Sequence, residues 1–366
     1  MALMELSMLR RIFSRLPGLA PVVVCLLLCA AQTTAHAQGE QAQRLRIVGG
    51  LAGLNQYKHH EEPFWTKTLP RVTGGRATAE IVPFDQAGLR GQEMLRLIQL
   101  GAVPFGTALL TLVASEDPEL GAVDLSGLSP DMAALRRNVT AFRPHMIRRL
   151  RERWGIEALA VYVYPAQVMF CSKPFSRLDD LAGRRIRSSS TSQSDLIEAL
   201  GAIPVQMPFA EVVPSLRSGA IECAITGTMS GNTVGLHEVT SHIHPLAISW
   251  GLAVFGANSG AWKALPESLR TVLRGELAGL EQRIWTEAER ETSEGIACNT
   301  GAPSCRAGRR GAMAEIPESP ADAKRLRELF TSVVLPRWAG RCGRRCETVW
   351  NATIGPAAGV MTAAGK

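Results

Sequence analysis

The sequence lacks the signatures of most enzyme classes. It has no Gly-x-Ser-x-Gly, no phosphate-binding loop and no His-Glu-x-x-His. No Ser/His/Asp ordering and no paired carboxylates stand out, which argues against an exported hydrolase or isomerase on an α/β scaffold, the main rival reading. A dense Lys/Arg patch is missing too, and with it the usual footprint of nucleic-acid binding. Internal repeats and low-complexity tracts are absent. After the first forty residues no apolar run is long enough to span a bilayer.

The first residues carry a different signal. Arg10, Arg11 and Arg15 precede an apolar run from Leu19 to Ala31, and Ala35-His36-Ala37 follows as a small-x-small site. This reads as a secretory leader over residues 1–37, and the mature chain is expected in the periplasm. Losing the leader removes three arginines and Glu5, so the formal charge falls from +7 to +5. A mild positive excess suits an anionic ligand. Hydrophobic content of 46% and charged content of 20% describe a globular chain. No cofactor and no metal site is expected.

Six cysteines remain. Cys298, Cys305, Cys342 and Cys346 crowd near the C-terminus and predict one or two disulfides, whose pairing spacing alone leaves open. A four-cysteine zinc site fits these spacings poorly. Cys171 and Cys223 sit in apolar strand-like runs and read as buried free thiols.

Periodicity gives alternating strands and helices from Leu45 to Thr111, then a basic helix near 131–153. Its arginines interleave with Leu135, Phe142, Met146 and Leu150, the pattern of an amphipathic helix with a solvated face. The alternation restarts at Glu157 and runs to Ile225. A strand region over 247–257 then crosses back, and a long helix follows Leu265-Pro266-Glu267. Two series predict two lobes, each a mainly parallel sheet flanked by helices and joined by a hinge. The expected bodies are 38–164 with 252–291, and 165–251 with 292–366. His59-His60-Glu61-Glu62 reads as an exposed helix start, because adjacent helical residues point about 100° apart. His237, His242 and His244 fall near the expected crossing; surface or core roles are commoner for such histidines than ligand contact.

The informative stretch is Leu178-Asp179-Asp180-Leu181-Ala182-Gly183-Arg184-Arg185-Ile186-Arg187. Gly201-Ala202-Ile203-Pro204, Met207-Pro208-Phe209-Ala210-Glu211 and Leu216-Arg217-Ser218-Gly219 follow it. It resembles the solute-binding components of tripartite ATP-independent periplasmic (TRAP) transporters of the dicarboxylate-receptor type. Thr73-Gly74-Gly75-Arg76 and Trp262-Lys263-Ala264-Leu265-Pro266 extend the likeness over most of the chain. The resemblance implies a periplasmic-binding-protein-like α/β fold closing on a small organic acid, a two-subunit membrane permease as partner, and no catalysis. A role in sensing rather than transport stays open, and a monomer is the default.

The same resemblance implies that Arg187 forks around the ligand carboxylate, a role that guanidinium geometry suits. Ser188 and the hydroxyls after it add donors. Gln167 stands where a second arginine is frequent, Thr226 where an asparagine is usual, Val213 where a tyrosine is usual, and Glu222-Cys223 where Asp-Gly is usual. These departures point to one recognised carboxylate on an otherwise apolar or aromatic acid. Phe209, Trp250 and Tyr57 are candidate apolar walls, and Asn55 a further candidate contact.

Overall fold

The computed structural model describes residues 42–362. The proposed leader and the last four residues lie outside them. Eleven strands among the described residues form two sheets. Sheet A contains β1 (Gln43–Gly49), β2 (Ala77–Pro83), β3 (Phe105–Leu109), β4 (Ile156–Val163) and β10 (Leu252–Asn258), in the order β2-β1-β3-β10-β4. Sheet B contains β5 (Gln167–Cys171), β6 (Arg185–Ser188), β7 (Ile203–Gln206), β8 (Cys223–Gly227), β9 (His242–Ser249) and β11 (Ala314–Glu315), in the order β11-β9-β5-β8-β6-β7.

In each sheet the strands run in one direction except for a single strand that runs against both its neighbours. In sheet A this is β10, antiparallel to β3 and β4. In sheet B it is β5, antiparallel to β8 and β9. Both follow a crossover between the sheets, so they enter from the opposite end. β3 and β8 are buried along their whole length, as befits central strands covered on both faces. The result is the expected two-lobed α/β fold.

Helices complete the layers. α1 (Met132–Trp154) starts where the Asp131 side chain accepts from the Ala134 N–H at 2.7 Å, and it ends at left-handed Gly155. α2 (Thr191–Ala199) and α3 (Thr228–Val234) lie on sheet B. α4 (Glu267–Thr300) is long enough to serve both lobes. Trp285 donates its indole N–H to the Val161 carbonyl in sheet A at 2.8 Å. Further along, Gly295 meets α3 so closely that a Cβ there would stand 2.3 Å from the Met229 nitrogen. Only glycine permits that approach. α5 (Pro320–Leu329), α6 (Leu335–Cys342) and α7 (Arg344–Ala352) form the tail. It touches both lobes: Trp338 donates to the Pro118 carbonyl at 2.8 Å, and Arg341 pairs with Asp195 of α2.

Three expectations need correction. Cys171 and Cys223 are not free thiols; they form a disulfide, because register sets them directly opposite each other in the antiparallel β5–β8 pair, Cα atoms 4.1 Å apart. Cys298–Cys305 and Cys342–Cys346 are also joined. Glu61 is not exposed; its helical turn directs it into the lobe, where it is fully buried. The basic face of α1 is solvated only in part. Arg143 pairs with Glu281, and Arg149 with the buried Asp117 at 2.9 Å. His244 is a core residue beside Asp322, at 3.4 Å. Among the described residues no helix is long and apolar enough to cross a membrane, and no metal-binding cluster occurs.

Candidate functional site

Arg187 is the third residue of β6, between Val205 of β7 and Ala224 of β8. It is only 4% exposed. Its Nη1 donates to the Ile225 carbonyl at 2.8 Å and its Nη2 reaches the Met207 carbonyl at 3.5 Å. Nε is buried without a partner. The guanidinium carbon lies 5.9 Å from the centre of the Phe209 ring. No carboxylate among the described residues pairs with it. Burial alone pushes its pKa down, to about 10. A buried cation left without a counter-charge is costly, and two carbonyl dipoles offset that cost only in part.

The neighbouring groups are polar and neutral. Ser188 faces Ser194 of α2, their Oγ atoms 2.8 Å apart. The Ser189 N–H donates to Gln193 Oε1 at 2.7 Å, and the Gln193 amide donates to both Gln167 Oε1 and Ser249 Oγ. Gln167, the first residue of β5, therefore reaches the loop that leaves Arg187. Its amide nitrogen fills the space above Gly251, where a Cβ would stand 2.6 Å away. Gly251 has a φ of +76°, the left-handed region that favours glycine, and an added Cβ would also displace that amide. Thr226 follows Ile225 on β8, opposite Val168.

The structure thus brings Arg187, Gln167, Ser188, Thr226 and Phe209 to one end of sheet B. The other three candidates make contacts elsewhere. Trp250 is buried and donates its indole N–H to the Ser129 carbonyl at 2.9 Å. Tyr57 reaches the Ile81 carbonyl at 3.4 Å, and desolvation first, then nearby carboxylates, raises its pKa to about 12. Asn55 donates its amide to Glu291 of α4 at 2.5 Å. Gln193 escaped the sequence reading although a signal was present. Ser190-Thr191-Ser192-Gln193 has the Ser-x-x-Gln form of a helix start, and the Ser190 hydroxyl does accept from the Gln193 N–H at 3.1 Å.

Two buried carboxylates lie near sheet A. Asp124 accepts from the N–H groups of Trp250, Gly251 and Leu252 at 2.8, 2.7 and 3.4 Å, fixing the chain where it returns from sheet B to sheet A. Burial raises its pKa to about 6 against these bonds. Glu61 accepts from the Gly50 N–H at 3.0 Å, Gln56 Nε2 at 3.0 Å and the Thr107 hydroxyl at 2.9 Å. Burial raises its pKa as well.

Two α/β lobes are thus joined by short crossovers, with a buried cation at one end of sheet B. The chain belongs to the bacterial extracellular solute-binding protein family 7, which its residues 48–298 match. It is 28% identical over 214 residues to the C4-dicarboxylate-binding periplasmic protein DctP of Rhodobacter capsulatus. That match covers 57% of this chain and 63% of the relative, so it spans less than two thirds of the relative's length. The fold is that of DctP7 from Bordetella pertussis, an extracytoplasmic solute receptor binding pyroglutamic acid. The TM-score is 0.76 at 22% identity, over 85% of this chain and 99% of that one. A TRAP periplasmic solute-binding protein from Desulfovibrio salexigens with bound orotic acid gives a TM-score of 0.76 at 17% identity, over 86% and 98%.

Proposed function

We propose that this protein is the extracytoplasmic receptor of a TRAP-type transport system. It binds a small organic acid through one carboxylate, without catalysis, and delivers it to a membrane permease. It is made with the leader 1–37 and works as a periplasmic monomer. The two moving bodies are 38–164 with 252–291 and 165–251 with 292–366, and they close around the acid. The observation that carries this reading is Arg187: a guanidinium almost entirely out of water, with an unpartnered Nε and no acidic neighbour among the described residues. A carboxylate supplies the missing charge and two acceptors in matching geometry. Gln167, held by Gln193 and Ser189, offers hydrogen bonding but no second cation. This supports one recognised carboxylate. Pyroglutamic and orotic acids, held by the fold relatives above, each carry a single carboxyl on a compact ring.

A thermal-shift screen of monocarboxylic and C4-dicarboxylic acids tests the proposal, because a ligand selective for the folded state raises its melting temperature. Monocarboxylates are expected to give the larger shifts. Arg187→Ala should weaken the best ligand by about 30- to 3,000-fold, the equivalent of roughly 2–5 kcal/mol for truncating a buried charge pair. Undiminished affinity in that variant would falsify the anchor assignment.

A further inference from the structure

A cavity of about 300 Å³ lies where three parts of the chain meet. The segment 127–138 entering α1 forms one side, Leu246 of β9 another, and the tail helix α5 with Ala357 and Ala358 the third. Its lining joins apolar side chains, among them Leu128, Leu246 and Leu326, to two guanidinium groups, Arg137 and Arg327. Neither arginine has a carboxylate partner among the described residues. Arg327 is half-buried, donates one Nη2 bond to the Ala358 carbonyl at 2.9 Å, and packs 5.3 Å from the centre of the Phe330 ring. Burial lowers its pKa. Arg137 is exposed.

Asn138, on the same wall, is only 2% exposed. Its Nδ2 donates to Ser129 Oγ at 3.0 Å, but its Oδ1 is buried without a partner. Buried amide oxygens are seldom left unpaired. Asp131 also lines the cavity; it carries one negative charge while its side chain caps α1. Two guanidinium groups against one carboxylate leave one net positive charge. That balance selects a monoanion over a dianion.

We propose that this cavity is a second binding site, separate from Arg187, for a small organic monoanion. Its carboxylate lies between Arg137 and Arg327, and an apolar flank meets Leu128, Leu246 and Leu326. An occupant touches α1, sheet B and the tail at once, so it ties the tail to both lobes.

The test uses the purified protein carrying Arg187→Ala, which removes the first anchor and leaves this cavity unaltered, with 2-hydroxybutyrate as the calorimetric probe. One binding event is expected to remain. Adding Arg137→Ala and Arg327→Gln should weaken it at least tenfold. Arg327→Gln keeps a donor for Ala358 and a stem on Phe330, and an unchanged melting temperature will show that the tail stays folded. No residual binding in Arg187→Ala, or equal affinity in the triple variant, overturns the site. Inorganic phosphate should give no measurable heat; tighter phosphate binding would overturn the organic class. None of these outcomes bears on the cleft, because Arg187 is absent throughout.

Discussion

Arg187 in sheet B and the carboxylates Glu61 and Asp124 near sheet A are all charged groups taken almost completely out of water, yet their surroundings differ in kind. Each carboxylate accepts three hydrogen bonds from fixed donors and needs no cation to be satisfied. Arg187 has five N–H donors, and the fold offers it two carbonyls, one of them at 3.5 Å. Burial of a charge therefore does not by itself mark a binding site. What distinguishes Arg187 from the two carboxylates is unfilled hydrogen-bonding capacity, with Nε left without a partner, and the proposed anchor role rests on that difference. The carboxylates belong to the frame: Glu61 fixes a turn of the first lobe, and Asp124 fixes a crossover.

The largest effect separating the two kinds of group should come from Arg187→Met. It is expected to weaken ligand binding in the cleft as strongly as Arg187→Ala, and at the same time to stabilise the ligand-free protein by about 1–2 kcal/mol. A buried uncompensated charge is replaced there by a side chain of similar length that needs no partner. Urea unfolding with and without ligand measures both halves. A destabilised Arg187→Met would mean that the guanidinium serves the fold and that the comparison fails.

Asp124→Asn should behave in the opposite way. Whichever way the amide turns, its NH2 faces one or more of the N–H groups of Trp250, Gly251 and Leu252, so about 2–3 kcal/mol is lost. Glu61→Gln sharpens the contrast within the carboxylates. A glutamine there can keep its oxygen on Gly50 and Thr107 and turn its NH2 toward Gln56. The Gln56 Oε1 is at present buried without a partner, and rotating the Gln56 amide presents it as the acceptor. The substitution is thus expected to cost less than about 0.5 kcal/mol. Equal losses for the two variants in matched urea titrations would refute this account of how each carboxylate is held.

What was legible in the sequence follows the same division between local and non-local information. The Arg184-Arg185-Ile186-Arg187 strand, its glycine-ended helices and the two α/β series are local patterns, and the structure contains them within a residue or two. Gln167 in place of an arginine was legible, but its partners were not. Gln193 comes from another face, and contacts of that kind depend on packing. Cys171 and Cys223 stand 52 positions apart, and only strand register makes them neighbours. Glu61 was misread because a polar run such as His59-His60-Glu61-Glu62 says nothing of which residue faces inward. The lobe sheet decides that, through the Thr107 hydroxyl.

The smallest expected effect concerns a carboxylate between these two extremes. Glu291 on α4 is mostly buried, accepts one side-chain bond, from Asn55, and has its pKa raised to about 7, by desolvation first and also by Glu287. Its folded value lies above the ordinary one, so the folded state binds more protons between about pH 4.5 and 7. Its contribution to stability must then fall as pH rises through that window and level off above it. Asp124 acts with the same sign at lower pH. His60, whose pKa burial lowers, acts with the opposite sign below its ordinary value of 6.5. Both remain in Glu291→Gln, which keeps an acceptor for Asn55 and removes only the titration. The variant should therefore lose less melting temperature between pH 5 and 7 than the parent, by roughly 2–4 °C for a contribution of about 1 kcal/mol. Parallel melting curves across that range would show that Glu291, like Asp124, is held by its donors more firmly than its single side-chain bond suggests, and would move it to the frame side of the comparison.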